Sequence, residues 1–481
     1  MRVLYVPFFS NVNLGGCSIF NNMKIAARTL VERHPDVFVH YPLPGPPFEQ
    51  NGADYLKHPR IETFTVPAIR YQENDTVYVP PVLFDRFNIH HGDVGVDLVL
   101  CDKHRLTPWI KLLMNQHLKS PDASVPVVNY AQYPMCDGEV GNHSTPEWEL
   151  SQTLGIFTAP TMWACNFDLQ LCLKVARKWC LPHVVRTIED NAILDCGVAI
   201  DCARIDKHMI EKPRDQILIN YGFRLSAAYG IEENFDEVDK MYRAGRKLKL
   251  IITTPSASAG RVGGGLLNKL KKLGVPHEAH IACPQDDFFR IASGCHIALR
   301  TADGSESSVS FLEHVYMRVA CLLPWAKKVE PWMEGYPWTY KNKAEMHGMA
   351  RYLVDNYWSD EVQSTLDKYR ERVLQHKSCD GRADRMYGHF SRIINQSAPT
   401  GKMNESVVGI TRDTLDRWGN PAEFTWQQFS QAMEKHSDSK TEPWQHIFFG
   451  KTKFHFIHAL RTLGYQDACD SAVPRYVKVT P

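Results

Sequence analysis

Two glutamates, Glu306 and Glu313, stand seven residues apart at either end of a turn that opens a helix. Carboxylates at a strand-end turn are candidates for ligand contact, although acidic groups are also favoured near a helix N-terminus by the helix dipole alone. The turn itself contains Asp303, Gly304 and Ser305. Two arginines lie in loops rich in small residues. Arg224 falls in Gly222–Gly230, and Arg261 in Ser256–Gly265. Near the start of the chain Gly15 and Gly16 sit between a strand pattern and a helix pattern, where backbone N–H groups can face an incoming anion. A tight turn would call for the same glycines. A fourth polar group, Gln132, Tyr133, Asp137 and Glu139, follows the carboxyl end of a strand. Asp137 and Glu139 are candidates for a general base. His277, His280 and Cys283 have a spacing suggestive of a metal. They fall in a strand pattern whose side chains alternate faces, so they would not converge, and no metal site is expected.

The elements that must hold these residues are legible from hydrophobic runs. Arg300–Pro331 follows the apolar run His296–Leu299, passes through the turn, and carries Phe311, Leu312, Val315 and Val319 at helical spacing into a second apolar run, Val319–Leu323. That is a βαβ unit, which places its ligand at the carboxyl end of the first strand. Upstream, Arg2–Phe8, Val37–Tyr41, Ile61–Pro67, Val96–Cys101, Pro126–Tyr130 and Ile156–Trp163 read as strands between helical segments. Alternation of this kind predicts a mostly parallel sheet with helices on both faces. The pattern pauses near Cys196–Asp206 and restarts at Gln216–Tyr221, Lys249–Thr254, His280–Cys283, His296–Leu299 and Ala320–Leu323. The fold class expected is α/β, with two doubly wound Rossmann-like domains at residues 1–200 and 201–396. A polar linker, Ser397–Glu405, leads to a small mainly helical domain at 405–481. Its helices followed by a terminal strand resemble a winged helix. Lys451, Lys453 and Arg461 lie on or near its last helix and are the candidate DNA contacts.

Composition narrows the class. The chain has 481 residues and a formal net charge of +1, so no global polyelectrolyte argument points to nucleic acid. No apolar run is long enough to span a membrane. The opening MRVLYVPFF is too short for a signal peptide, and thirteen cysteines without a regular framework suit reduced thiols. A cytoplasmic protein is expected, in the host cytoplasm if phage-encoded.

Over residues 1 to about 396 the chain resembles the GT-B glycosyltransferases, in particular the retaining branch that includes glycogen- and sucrose-synthase-like enzymes. The segment Cys196–Asp201 is similar to that family's sequence before its second domain, and Gly222–Gly230 is similar to its phosphate-binding loop. The resemblance implies a nucleoside-diphosphate sugar as donor substrate, with no metal or other cofactor. It places Gly15, Gly16 and Arg224 at the donor phosphates and Glu313 at the ribose. Two positions depart from the pattern. The family's second phosphate cation falls on Tyr229, so Arg261 is the candidate substitute. The two glutamates are one residue closer than in the family, so its first glutamate falls on Ser305 and Glu306 reaches the donor sugar only with a shift of the loop.

The chemistry implied is departure of a nucleoside diphosphate through an oxocarbenium-like state, its charge held by Arg224, Arg261 and helix N–H groups. Inversion would need Asp137 or Glu139 as base, and for retention no nucleophile stands out. Gln132 and Tyr133 would hold the acceptor. Some enzymes of this shape add sugars to hydroxymethylated pyrimidines of phage DNA, which makes double-stranded DNA one candidate partner. A polysaccharide or lipid-linked acceptor is the alternative, and a non-catalytic binder of nucleotide or nucleic acid the third reading.

Overall fold

A computed structural model describes the chain apart from residues 8–13, 15–17, 47, 67, 72–74, 79–95, 103–105, 109, 112–124, 132–145, 223–230, 255–264, 266–267, 300–308, 325–330, 398–401, 437–455, 457–458, 471–474 and 480–481. It divides into two compact units. The first comprises Met1–Trp163, Asp168–Cys196 and Ala383–Pro481, and the second Ala164–Phe167 and Gly197–Arg382.

The first unit begins β1 (Arg2–Val6), α1 (Ser18–Arg33), β2 (Phe38–Pro44), β3 (Ile61–Val66). A short hairpin, β4 (Ala68–Tyr71) and β5 (Asp75–Tyr78), stands apart from the main sheet. The chain returns through β6 (Leu98–Cys101), β7 (Val127–Ala131), α2 (Pro146–Phe157), β8 (Thr161–Trp163), α3 (Asn166–Trp179), α4 (Pro182–Asp190) and β9 (Ala192–Ile193). Its seven strands run in the order β3-β2-β1-β6-β7-β8-β9, every pair parallel. Strands covered on both faces must be apolar on both, and the residues of β1, β6 and β7 are all buried. The buried Asn129 of β7 is satisfied by donating to Gly155 O at 3.0 Å.

The second unit contains α5 (Cys202–Asp206), β10 (Ile217–Tyr221), α6 (Ile231–Arg243), β11 (Leu248–Thr254), β12 (His277–Ile281), α7 (Gln285–Ser293), β13 (Ile297–Leu299), α8 (Val309–Tyr316), β14 (Ala320–Pro324), β15 (Thr339–Tyr340), α9 (Lys343–Asn356) and α10 (Asp360–Lys377). Its sheet order is β12-β11-β10-β13-β14-β15, again parallel throughout. This is the Rossmann order, with the direction of winding reversing between β10 and β13. The long helix α11 (Cys379–Ser397) starts in the second unit and ends in the first. Within the first unit its Asp384 takes a bidentate pair from Arg33 of α1.

The C-terminal residues form α12 (Lys402–Trp418), β16 (Glu423–Thr425), α13 (Trp426–His436), β17 (Tyr465–Asp467) and β18 (Arg475–Lys478). The strands make an antiparallel sheet, β16-β18-β17. Its own aromatic core contains Phe424, Phe429, Phe456, Tyr465 and Tyr476. Helices and a small antiparallel sheet around one core give the winged-helix-like form.

Several element boundaries differ from the sequence reading; the strand expected at His280–Cys283, for one, is His277–Ile281. Ile156 and Phe157 belong to α2, and the strand is confined to Thr161–Trp163. An apolar run does not by itself distinguish a buried strand from the end of a helix. The helix expected through Val319 stops at Tyr316, because Arg318 turns into the left-handed region (φ 58°) and the Val319 N–H bonds back to His314 O.

Candidate functional site

Strand order alone picks out one place in the second unit. Where the winding of a parallel sheet reverses, the flanking loops part and leave a crevice at the strands' carboxyl ends. Here that place lies beyond the carboxyl ends of β10, at Asn220–Gly222, and of β13, at Leu299.

Asn220 is fully buried, a polar residue inside the otherwise apolar run ILINY. Its side-chain oxygen faces the Nε2 of His314 at 2.8 Å. The Nδ1 of the same ring faces Ser310 O, one turn earlier in α8, at 2.5 Å. The edge of Phe288 packs against the imidazole, with centroids 5.5 Å apart. This cluster explains Gly222. A Cβ there would lie 2.5 Å from Asn220 Oδ1 and 2.9 Å from His314 Cε1, so a side chain would displace the floor of the loop. Glycine at 222 is therefore set by close packing against Asn220 and His314.

Glu313 precedes His314 on α8 and is only 5% exposed. Among the described residues, the amide of Gln285 is its hydrogen-bond partner, donating from Nε2 at 3.4 Å. Gln285 in turn accepts from Arg204 Nη1 at 3.2 Å, and Arg204 Nε donates to Asp286 at 2.7 Å. Burial pushes the Glu313 carboxyl up to about 8, with the Gln285 bond and the Arg204 charge opposing only part of that rise. A carboxyl in this state is mostly neutral at pH 7. A cation or a set of hydroxyl groups arriving beside it would favour its ionised form.

Glu313 is thus placed at the reversal point of the second sheet. The other donor candidates, Gly15, Gly16, Arg224, Arg261, Ser305 and Glu306, lie outside the described residues, as do Gln132, Tyr133, Asp137 and Glu139. Of the three candidate DNA contacts, Lys451 and Lys453 also lie outside them. Arg461 does not present itself to a nucleic acid. Its guanidinium donates to Asp97 at 2.8 Å, just before β6, and Asp97 also accepts from the Arg2 backbone N–H. Arg2 pairs with Asp467 of β17. The C-terminal sheet is thereby locked, inside the first unit, to the amino ends of β1 and β6.

Sequence reasoning missed Asn220, Gln285 and His314. Asn220 carried a signal, since a buried strand has no use for an amide unless something hydrogen-bonds it. Gln285 and His314 carried none, because their roles depend on which helices lie side by side. Among the described residues, Asp195, Cys196 and His389 are the group that brings metal-ligating atoms together, within 4.8 Å. His389 Nε2 lies 2.9 Å from Asp195, and Arg392 donates to Nδ1. A donor at Nδ1 leaves the proton on Nε2, which makes the cluster an ordinary histidine–carboxylate pair. Among the described residues, no helix is long and apolar enough to cross a membrane.

No protein-family model and no curated protein sequence matches the chain. Solved structures do. A glycosyltransferase from Rickettsia africae superposes with a TM-score of 0.55 at 10% identity, covering 82% of this chain and 98% of its own. A sucrose-phosphate synthase from Thermosynechococcus elongatus gives 0.56 at 10% identity, with coverages of 82% and 99%. Anabaena HepE in complex with UDP gives 0.55 at 10% identity, with coverages of 82% and 100%. At this identity the likeness shows the fold: two doubly wound parallel-sheet units of the GT-B kind.

Proposed function

We propose that this chain is a glycosyltransferase that takes a sugar from a nucleoside-diphosphate sugar, a UDP-sugar first among them, and passes it to an acceptor hydroxyl. The observation that carries this reading is the position of Glu313, a buried carboxyl on the helix that follows β13 at the reversal point of the second sheet, next in sequence to the His314 that packs under Gly222. Support comes from the fold shared with Anabaena HepE, solved in complex with UDP and with UDP-glucose.

In this reading Glu313 accepts hydrogen bonds from the ribose hydroxyls. Arg224 and Arg261 hold the diphosphate and stabilise the charge that develops as it leaves, so that no metal is required. Gly15 and Gly16 contribute backbone N–H groups to the same phosphates. Ser305 and Glu306 face the donor sugar. Gln132 and Tyr133 hold the acceptor, and in an inverting reaction Asp137 or Glu139 removes its proton. With Arg461 committed to Asp97, a DNA acceptor would rest on Lys451 and Lys453.

The test is incubation of the purified protein with radiolabelled UDP-sugars and three acceptors in parallel: hydroxymethylated double-stranded DNA, small saccharides and lipid-linked saccharides. Transfer to any of them supports the reading and names the acceptor class. Binding of UDP with no release of sugar would replace it with a nucleotide-binding role. Absence of nucleotide binding would end it.

A further inference from the structure

We propose that Gln285 is a positioning residue for nucleotide recognition, its amide oriented by Arg204 so that Glu313 is held ready for the ribose of a nucleoside diphosphate. The inference rests on the donor-site reading above and extends it to residues outside the loop that would touch the nucleotide.

Arginine has donors and no acceptor. Because Arg204 Nη1 points at Gln285 Oε1, that atom must be the amide oxygen. The amide nitrogen is then the atom that faces Glu313 Oε1. Arg204 is itself fixed at two places. Its Nε donates to Asp286, and its backbone N–H donates to Asp201, the residue that caps α5. The chain of contacts runs Asp286, Arg204, Gln285, Glu313, and its members come from three helices: Gln285 and Asp286 from the first turn of α7, Arg204 from α5 and Glu313 from α8. A free glutamine could present either end of its amide. This one can present only its donor.

That constraint divides the labour of the Glu313 carboxyl. Oε1 is taken by the Gln285 N–H, which leaves Oε2 for a ligand hydroxyl. It also biases the group towards accepting, since a donor on one oxygen favours the ionised carboxylate. Among the described residues no other side-chain hydrogen bond holds the Glu313 carboxyl in place. Without the amide, a buried carboxyl would have to satisfy itself by turning away from the ligand.

The experiment compares UDP with 2′,3′-dideoxy-UDP by isothermal titration calorimetry in the wild type and in Gln285→Leu, Gln285→Glu and Glu313→Ala. The quantity read is the ratio of the two dissociation constants, which isolates the ribose hydroxyls from the phosphates and the base. Loss of one oriented hydrogen bond is worth about fivefold. Gln285→Leu and Gln285→Glu are expected to lower the ratio by about that factor, mainly by weakening UDP. Gln285→Glu keeps the partner of Arg204 while replacing the donor by an acceptor, so it reports even if the leucine variant folds poorly. A merely structural role would weaken both nucleotides alike and leave the ratio unchanged. If Glu313→Ala collapses the ratio while both Gln285 variants preserve it, the positioning role is overturned and the donor-site reading stands. If Glu313→Ala leaves the ratio unchanged, or the wild type binds no UDP, the donor-site reading itself fails and takes the inference with it.

Discussion

Asp97 and Glu313 are both buried carboxyl groups, and their surroundings drive them in opposite directions. Asp97 lies before β6 in the first unit and is 4% exposed, while Glu313 lies on α8 in the second and is 5% exposed. Burial raises both. At Asp97 the Arg461 guanidinium and the Arg2 backbone N–H outweigh it, and the group is pulled down to about 2. At Glu313 one long amide bond and the more distant Arg204 do not, and the group stays at about 8. The first site has every charge answered from within the fold, which is what a structural lock requires. At the second, among the described residues, the carboxyl has one side-chain hydrogen bond, and it stands where a parallel sheet can open to ligands, the arrangement on which the proposed donor role rests.

The comparison can be broken at its stronger end first. Arg461→Ala removes the nearest side-chain cation from buried Asp97, leaving it the Arg2 N–H and the Met1 ammonium 3.9 Å away, and the expected cost is about 3 kcal/mol of stability by urea denaturation. Replacing both by leucine should recover most of that loss, and a single variant as stable as the wild type would show that the ion pair is not a lock. Next comes Gly222→Ala. The added methyl meets Asn220 and His314 inside contact distance. It should lower stability by about 2 kcal/mol and weaken UDP binding with it; an unchanged thermal midpoint would mean that the floor of the loop yields.

The acid–base contrast gives two smaller tests. The folded Glu313 carboxyl sits above its ordinary 4.5, so between there and about 8 the folded protein holds a proton that the unfolded chain has lost. Stability from this site is full below the unfolded value and falls as pH rises through that window. Glu313→Gln, always neutral, should match the wild type near pH 4 and exceed it at pH 9 by about 1 to 2 kcal/mol. A pH-independent difference would remove the case for a neutral Glu313. Asp97 runs the other way. Its stabilisation is present above the unfolded value of 3.8 and is lost as pH falls towards about 2. Asp97→Asn should therefore flatten the acid limb of the stability curve, measured by circular dichroism, and leave the limb above pH 7 unaltered.

The alternation of strands and helices and the restart of the pattern after residue 200 were legible in the sequence, because apolar runs of strand length and helical spacing record burial directly. So was the βαβ unit that carries Glu313. The failures share a cause. Arg461 read as a basic residue near an exposed helix, and nothing in the sequence says that Asp97, 364 residues away, lies opposite it. Gln285 drew no reading at all, and its contacts depend on Arg204 and Glu313 arriving from two other helices. Local pattern fixes which side of an element is buried, since that is decided within a few residues along the chain. Which buried charge meets which partner is decided only when distant elements pack, and that choice separates the locked carboxylate at Asp97 from the poised one at Glu313.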